Sequence, residues 1–372
     1  MIDPRHQKLA QVLVNYSLNL QPGGKLLICA QHSAAPLVRE VYRVALRAGA
    51  YPRAHIGLGP FHRFDACLDV TLQEGNDEQL QYISDLDRLE VECFDAYLFV
   101  HAEENTKAMS GFDPQRIARS MQAVGPLRRR ILERTATGNA CWCGTLFPTQ
   151  AQAQEAGMSL NEYEDFVFGA GLLNEDDPIA AWQRVGQTQQ QIADFLTQHN
   201  EIHIRATDTD LTYRVGGRKW LNACGHSNMP DGEVFSAPLE DTVNGTVRFS
   251  FPAVFAGQAV EDIRLTFGDG KVVEASAARG QDLLLALLDQ DAGARYVGEV
   301  AFGLNDQIRR FTNHLLFDEK LGSTMHVALG FTFPETGGKN QSGLHWDMIC
   351  DLRQGEVYAD GVLCYAAGKF TI

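Results

Sequence analysis

The chain has 372 residues, with 47 acidic and 32 basic side chains and a formal net charge of −15. Single cores seldom grow beyond about 250–300 residues, so two domains are expected, and a composition of 45% hydrophobic and 21% charged residues excludes a disordered chain. The acid surplus runs through both halves without an acidic tail and argues against a nucleic-acid partner, which needs a basic face.

The opening stretch MIDPRHQKLAQVLVNYSL carries charge from the start and lacks a continuous apolar segment, so no secretory signal is expected. No run approaches the roughly 18 apolar residues of a membrane span. The cysteines are too sparse for a disulfide scaffold. Cys141-Trp142-Cys143 falls one residue short of the CxxC spacing and reads as ordinary thiols on a strand. The expected setting is cytoplasmic and reducing.

A Pro-Gly-Gly turn precedes KLLICA (25–30), the first predicted strand. The next segment places Leu37, Val38, Val41, Tyr42, Ala45 and Leu46 on one helical face, with Gly49 suited to end that helix. Further strands are predicted at AHIGLG (54–59), AYLFVHA (96–102) and ACWCGTLFP (140–148), with helices between. Apolar strands alternating with helices imply a parallel sheet covered on both faces. Neither GxGxxG nor GxxxxGK[ST] follows the first strand, so a nucleotide site has no motif support. The expectation is an open, Rossmann-like α/β domain without a nucleotide.

Residues 150–198 read as helical, with Ser159 and Glu162 spaced as a capping box. After Asn200 the pattern turns to alternation. EIHIRAT, LTYRV and KWLNAC are short strands, with Gly216-Gly217 as the hairpin turn between the last two. TVRFSFPAVF, DIRLTF and KVVEAS follow, with turns at Gly268-Asp269-Gly270 and Asp360-Gly361 and one helix over 281–290. The predicted domains are 1–200, α/β with a helical extension, and 201–372, a mainly antiparallel α+β domain that binds metal.

The sharpest local signal is His345-Trp346-Asp347, because strand residues two apart face the same way. By itself this pattern also fits a merely hydrogen-bonded pair on a half-exposed strand. His326 lies in TMHVALGF, Glu299 in YVGEVAFG and Glu233 in MPDGEVFSAP, all strand-like runs of the same domain. A carboxylate buried in an apolar strand costs several kcal/mol unless paired or metal-bound. A partner arginine or an exposed edge would also accommodate either glutamate. Three carboxylates with two imidazoles match the needs of two divalent ions, and mixed nitrogen and oxygen donors suit Zn, Co or Mn. Gly298, just before Glu299, lets another group approach the backbone closely.

At these residues the chain resembles a known family. The runs TDLTYRVGGRKWLNACGHSNMPDGEVFSAP, VGEVAFGLN, LFDEKLGSTMHVALG and PETGGKNQSGLHWDMICDLR are similar to the aminopeptidase T and aminopeptidase S family of dinuclear metallopeptidases. PLVREVYRVALRAGAYP, ENTKAMSGFDP and GTLFPTQAQAQEAGMS extend the likeness through the first half, so it covers essentially the whole chain in order. The resemblance implies Glu233, Glu299, His326, His345 and Asp347 as ligands of two divalent metal ions per chain. It also implies peptide substrates with a free N-terminus and a homodimer enclosing its active sites. On this reading Glu299 bridges the ions, Glu233 and His326 hold one, and His345 and Asp347 the other.

One position departs from the family. Where it carries a tyrosine, this chain has Phe333, in FTFPETGG. A hydroxyl there would donate to the tetrahedral oxyanion, and losing such a donor costs about 10²–10³ in rate. Tyr296, Tyr365 or Lys320 are candidates to fill the gap. Asp318, Glu319, Lys320 and Asp351 are candidates to orient the imidazoles, or else form a solvated turn. His101, His226 and His314 lack a motif, and no GxSxG supports a serine hydrolase. Two other functions remain open from sequence: a mononuclear ferrous ring-cleaving dioxygenase on the same scaffold, and a weakly active metal-binding homologue in which Phe333 replaces the family tyrosine.

Overall fold

Strand β1 (Lys25–Gln31) buries every residue after Lys25, as a strand covered on both faces must. It pairs in parallel with β2 (Tyr51–Gly57) and β3 (Ala96–His101), and β3 pairs in parallel with β4 (Cys141–Leu146). The computed structural model describes residues 3–59, 65–255 and 257–372. Its chain divides into two units, one of residues 1–181 with 225–230 and one of 182–224 with 231–372.

In the first unit a two-residue strand, Asn228–Met229 (β8 in chain order), adds to the edge, giving the order β2-β1-β3-β4-β8. This is the expected parallel sheet, with β2 starting at Tyr51 rather than at residue 54. The helix Ala35–Arg47 buries Leu37, Val38, Val41, Val44 and Ala45, while Tyr42 and Leu46 are exposed. Its buried stripe is thus rotated from the predicted one towards Val44. Gly49 follows the helix at φ +79°, the left-handed conformation glycine favours at a helix end. The Ser159–Glu162 capping box forms at the start of Leu160–Ala170, with Glu162 accepting from the Ser159 amide at 2.8 Å. All eight cysteines are free thiols, and burial pushes the Cys141 thiol up. Among the described residues no helix is long and apolar enough to cross a membrane.

The second unit is built on two antiparallel sheets. The larger contains β5 (Glu201–Ala206), β6 (Thr209–Arg214), β10 (Asn244–Phe249), β13 (Ile263–Gly268), β14 (Lys271–Ser276), β18 (Glu356–Ala359), β19 (Val362–Ala366) and β20 (Lys369–Phe370). Their order is β14-β13-β10-β6-β5-β18-β19-β20. The smaller contains β7 (Leu221–Ala223), β9 (Glu233–Ser236), β15 (Val297–Gly303), β16 (Thr324–Gly330) and β17 (His345–Asp351), in the order β17-β16-β15-β9-β7. A short hairpin joins β11 (Ala253–Phe255) to β12 (Gln258–Val260).

Two predicted turns form as expected. β18 and β19 pair across Asp360-Gly361, whose φ angles of +48° and +80° suit a two-residue hairpin. β13 and β14 pair across Asp269-Gly270. The Gly216-Gly217 hairpin does not form. β6 pairs with β5 and β10, whereas β7 pairs with β9 in the other sheet. The glycine turn instead carries the chain between sheets, a choice made by strand partners remote in sequence. Ile204, Leu211, Val247 and Leu265 of the large sheet share one core cluster with Val234, Phe302, Val327 and Met348 of the small one.

Candidate metal centre

The small sheet has two chemically distinct faces. Register places Glu233 opposite Gly303, Phe235 opposite Ala301, Ala301 opposite His326 and Ala328 opposite both Glu299 and Asp347. Gly330 lies opposite His345. These alternate positions share the face away from the core, while Val234, Val300, Phe302, Val327, Trp346 and Met348 pack inward. Between the polar residues stand Ala301, Gly303, Ala328 and Gly330, so the spaces between them are not filled by large side chains.

A bulge sets the phase of Glu299. Val297 pairs with Leu329 and Glu299 with Ala328, leaving Gly298 as the extra residue. Val297 therefore faces the core while Glu299, two positions on, faces the opposite side. A side chain at Gly298 would put its Cβ 2.3 Å from the carbonyl oxygens of both Gly330 and Phe331. The close approach expected at this glycine is a strand backbone.

Four strands bring all five predicted residues together. Nε2 of His326 lies 3.2 Å from Glu299 Oε1, 3.6 Å from Glu233 Oε2 and 3.8 Å from Asp347 Oδ1. Nε2 of His345 lies 3.8 Å from Glu299 Oε2 and 3.7 Å from Asp347 Oδ2. Glu299 and Asp347 thus each turn one oxygen to each imidazole, and Glu233 faces His326 alone. Donor atoms of Glu233, Glu299 and His326 all lie within 4.8 Å of one another. His345 is 27% exposed, whereas the other four side chains are at most 8% exposed.

Backbone carbonyls fix both rings. Nδ1 of His326 sits 3.0 Å from the Glu319 oxygen, and Nδ1 of His345 2.9 Å from the Phe331 oxygen. A carbonyl only accepts, so each Nδ1 carries a proton and each Nε2 turns towards the carboxylates. A neutral Nε2 presents a lone pair to oxygen lone pairs, so the approach is favourable only with a proton on Nε2 or a metal ion between them. Oε2 of Glu233 and Oε2 of Glu299 are buried with no hydrogen-bond donor. Two orphaned oxygens and two aimed imidazoles are a donor set that fits divalent metal.

The electrostatics carry the same mark. Burial pushes the Glu233 carboxyl up to about 8 against the pull of Lys320, and Asp347 up to about 6 against the two imidazoles. Burial opposes charge on His326, but the Glu299 hydrogen bond and the surrounding carboxylates prevail and push it up to about 10. His345 is raised in the same way by Asp347 and Glu299. Carboxylates reluctant to ionise beside imidazoles eager to protonate describe a cluster short of positive charge.

Lys320 is fully buried, 3.3 Å from Glu233 Oε1 and 4.0 Å from Asp231 Oδ1, and paired with the Glu319 carboxylate. Phe333 is 38% exposed, its ring edge-on to His345 with centroids 5.3 Å apart. Asp318 is buried and accepts from the Thr312 amide at 2.7 Å, and burial pushes its carboxyl up to about 7. Asp351 pairs with Arg353. Tyr365 packs in the core against Phe302 and Phe370. His226 stacks on Tyr16, His314 caps a short helix, and His101 is exposed beside Glu103.

Sequence reasoning missed several supporting groups. Asp231, two residues before Glu233, carries no motif of its own. Gln189, in the helix Pro178–Thr197, donates to the carbonyls of Glu233 and Ala223 at 2.8 and 3.0 Å and ties β9 to β7. The carbonyls of Glu319 and Phe331 leave no trace in residue type. A capping or packing glutamine has no motif either.

An α/β unit followed by an antiparallel sheet carrying buried carboxylates and imidazoles defines a metal-dependent enzyme. Residues 2–370 match the family described as thermophilic metalloprotease (M29), and the chain belongs to that family. It is 30% identical to aminopeptidase 2 of Geobacillus stearothermophilus, over 95% of this chain and 93% of that one. It is 28% identical to aminopeptidase T of Thermus aquaticus, over 96% and 94% of the two chains. Among solved structures, wild-type AmpT from Thermus thermophilus superposes with a TM-score of 0.84 at 25% identity, covering 99% of both chains.

Proposed function

We propose that this metallopeptidase removes the first residue of peptides at a centre of two divalent ions held by Glu233, Glu299, His326, His345 and Asp347. The observation that carries the reading is the pair of imidazoles, each turned by a backbone carbonyl so that Nε2 faces a carboxylate cluster in which Oε2 of Glu233 and Oε2 of Glu299 lack any donor. Charge supports two ions rather than one. Asp231, Glu233, Glu299, Glu319 and Asp347 outnumber the single Lys320 ammonium by four, which two dications neutralise.

Bound there, the ions supply a polarising Lewis acid and a nucleophilic water near neutral pH. The protein's share is positioning. Glu299 and Asp347 span the two imidazoles, and Glu233 with His326 defines one pole while His345 defines the other. A free α-amine on the substrate would supply a further ligand to one ion, and that requirement would select a free N-terminus. Lys320 neutralises and holds Glu233 rather than reaching substrate, since its ammonium is fully buried. Residues 201–372 form the catalytic domain on this reading, Zn, Co or Mn are the metals that suit the donors, and a cytoplasmic homodimer is the working form.

Metal quantification on purified protein, coupled to hydrolysis of a panel of amino-acid p-nitroanilides, tests the proposal. Two ions per chain are expected, with both metal content and turnover lost in Glu299→Ala and His345→Ala. One iron per chain with oxygen uptake would instead establish the dioxygenase chemistry. Two ions with no turnover under Zn, Co or Mn would leave a metal-binding homologue.

A further inference from the structure

Three phenylalanines line the accessible side of the centre. Phe333 meets His345 with centroids 5.3 Å apart at 72°, and Phe331 meets the same ring at 6.3 Å and 72°. Phe331 and Phe333 are 5.7 Å apart at 81°, and Phe235 packs on Phe333 at 6.0 Å and 68°. All four ring pairs are edge-to-face, so the rings form one continuous apolar wall. His345 is the most exposed of the five polar residues, at 27%. The most exposed part of the centre is therefore His345, with these rings beside it.

The wall extends further than holding His345 requires. The Phe331 carbonyl already fixes the imidazole through Nδ1. Phe235 makes its ring contact with Phe333, and it stands on the polar face of the small sheet, two residues from Glu233 and opposite Ala301. The aromatic row thus runs from the β17 end of the site to the β9 strand. Phe333 remains 38% exposed, and a large apolar side chain left open beside a polar centre is surface that a ligand can cover.

We propose that Phe235, Phe331 and Phe333 form the binding wall for the side chain of the substrate's first residue and select large apolar N-terminal residues. The inference rests on the aminopeptidase reading and adds the substrate class to it. A leucyl or benzyl side chain covers the rings, whereas an alanyl side chain does not reach across them and an aspartyl side chain sets a charged, hydrated group against an apolar wall. Discrimination by an apolar pocket is worth about 10–200-fold per methylene-sized difference, so preference for Leu or Phe over Ala of at least about tenfold is expected.

Two readouts test this on the metal-loaded protein. One is kcat/KM for Leu, Phe, Ala and Asp p-nitroanilides. The other is equilibrium binding of L-phenylalaninamide and L-alaninamide, followed by calorimetry, which needs no turnover. Wild-type protein is expected to favour the large apolar residue in both, with the kinetic preference expressed mainly in KM. Phe333→Ala and Phe235→Ala are expected to lose most of that preference, and Phe235→Leu to keep it. Phe333 is half open to solvent, so its truncation leaves the core intact. Equal binding of the two amides by wild type, or an unchanged preference in both alanine variants, overturns the wall. Selective binding that falls in the variants without any turnover keeps the wall and refutes the aminopeptidase reading. Turnover without selectivity does the reverse.

Discussion

The ammonium of Lys320 lies 3.3 Å from Oε1 of Glu233, with the two side chains 0% and 8% exposed. Asp231 lies 4.0 Å from the same ammonium, and the Glu319 carboxylate completes the cage. A buried cation among carboxylates is an orienting device, and removing one member of such a group leaves the remainder uncompensated. Lys320→Met is therefore expected to destabilise the metal-free protein by about 3–5 kcal/mol. Added metal should raise the variant's melting temperature by more than it raises that of wild type, because the dications then offset the lost charge. Thermal unfolding of both proteins with and without Zn measures the difference.

Gly298 is where the bulge, the strand backbone and His345 meet. The Cβ of Gly298→Ala would press on the Phe331 carbonyl at 2.3 Å, and that carbonyl holds His345 Nδ1. Overpacking of this kind costs about 1–3 kcal/mol. The expected outcome is a lower melting temperature together with metal content reduced by about one ion per chain, read by elemental analysis.

Phe333→Tyr adds a hydroxyl at the exposed edge of the aromatic wall while keeping the ring that packs on His345. If the reaction lacks an oxyanion donor, kcat should rise by up to about 10²–10³-fold with metal content and residue preference unchanged. Single-turnover rates on a leucyl substrate separate this gain from faster product release.

His6 gives the first unit an acid-sensitive contact. Its ring packs against Phe147 and Phe168 at 5.2 and 5.5 Å, and burial lowers its pKa below the ordinary 6.5. The folded state therefore favours the neutral ring. Its contribution is fully present above the unfolded-state pKa and is lost as pH falls through the folded-state value. His6→Phe should remove that part of the acid dependence, at most about 1.4 kcal/mol per pH unit. Unfolding midpoints of both proteins, compared from about pH 7.5 to pH 5, provide the measurement.

Much of the site was legible because strand geometry is periodic. Residues two apart share a face, so His345 and Asp347 could be paired from sequence alone, and the runs around Glu233, Glu299 and His326 were recognisably apolar strands. The Asp360-Gly361 turn was legible for a similarly local reason, since both of its residues adopt positive φ. Gly216-Gly217 shows where local reasoning stops. The turn exists, with Gly217 at φ +79°, but what it connects depends on β9 and β10, which compete for the flanking strands from further along the chain.

By itself the sequence determined the division into a strand–helix half and an alternating half, the acidic balance and the residue types available for metal binding. These follow from composition and from side-chain periods of two and 3.6, which are local properties. Only the tertiary structure decided that a bulge at Gly298 turns Glu299 away from the core. It also decided that the Glu319 and Phe331 carbonyls aim both imidazoles, that Lys320 is caged behind Glu233 and that Phe333 joins a wall of three rings. Each depends on which strand lies beside which, and hydrogen bonds to backbone oxygens carry no signature in side-chain identity. Of the chain's 47 acidic residues, burial beside two histidines singles out Glu233, Glu299 and Asp347.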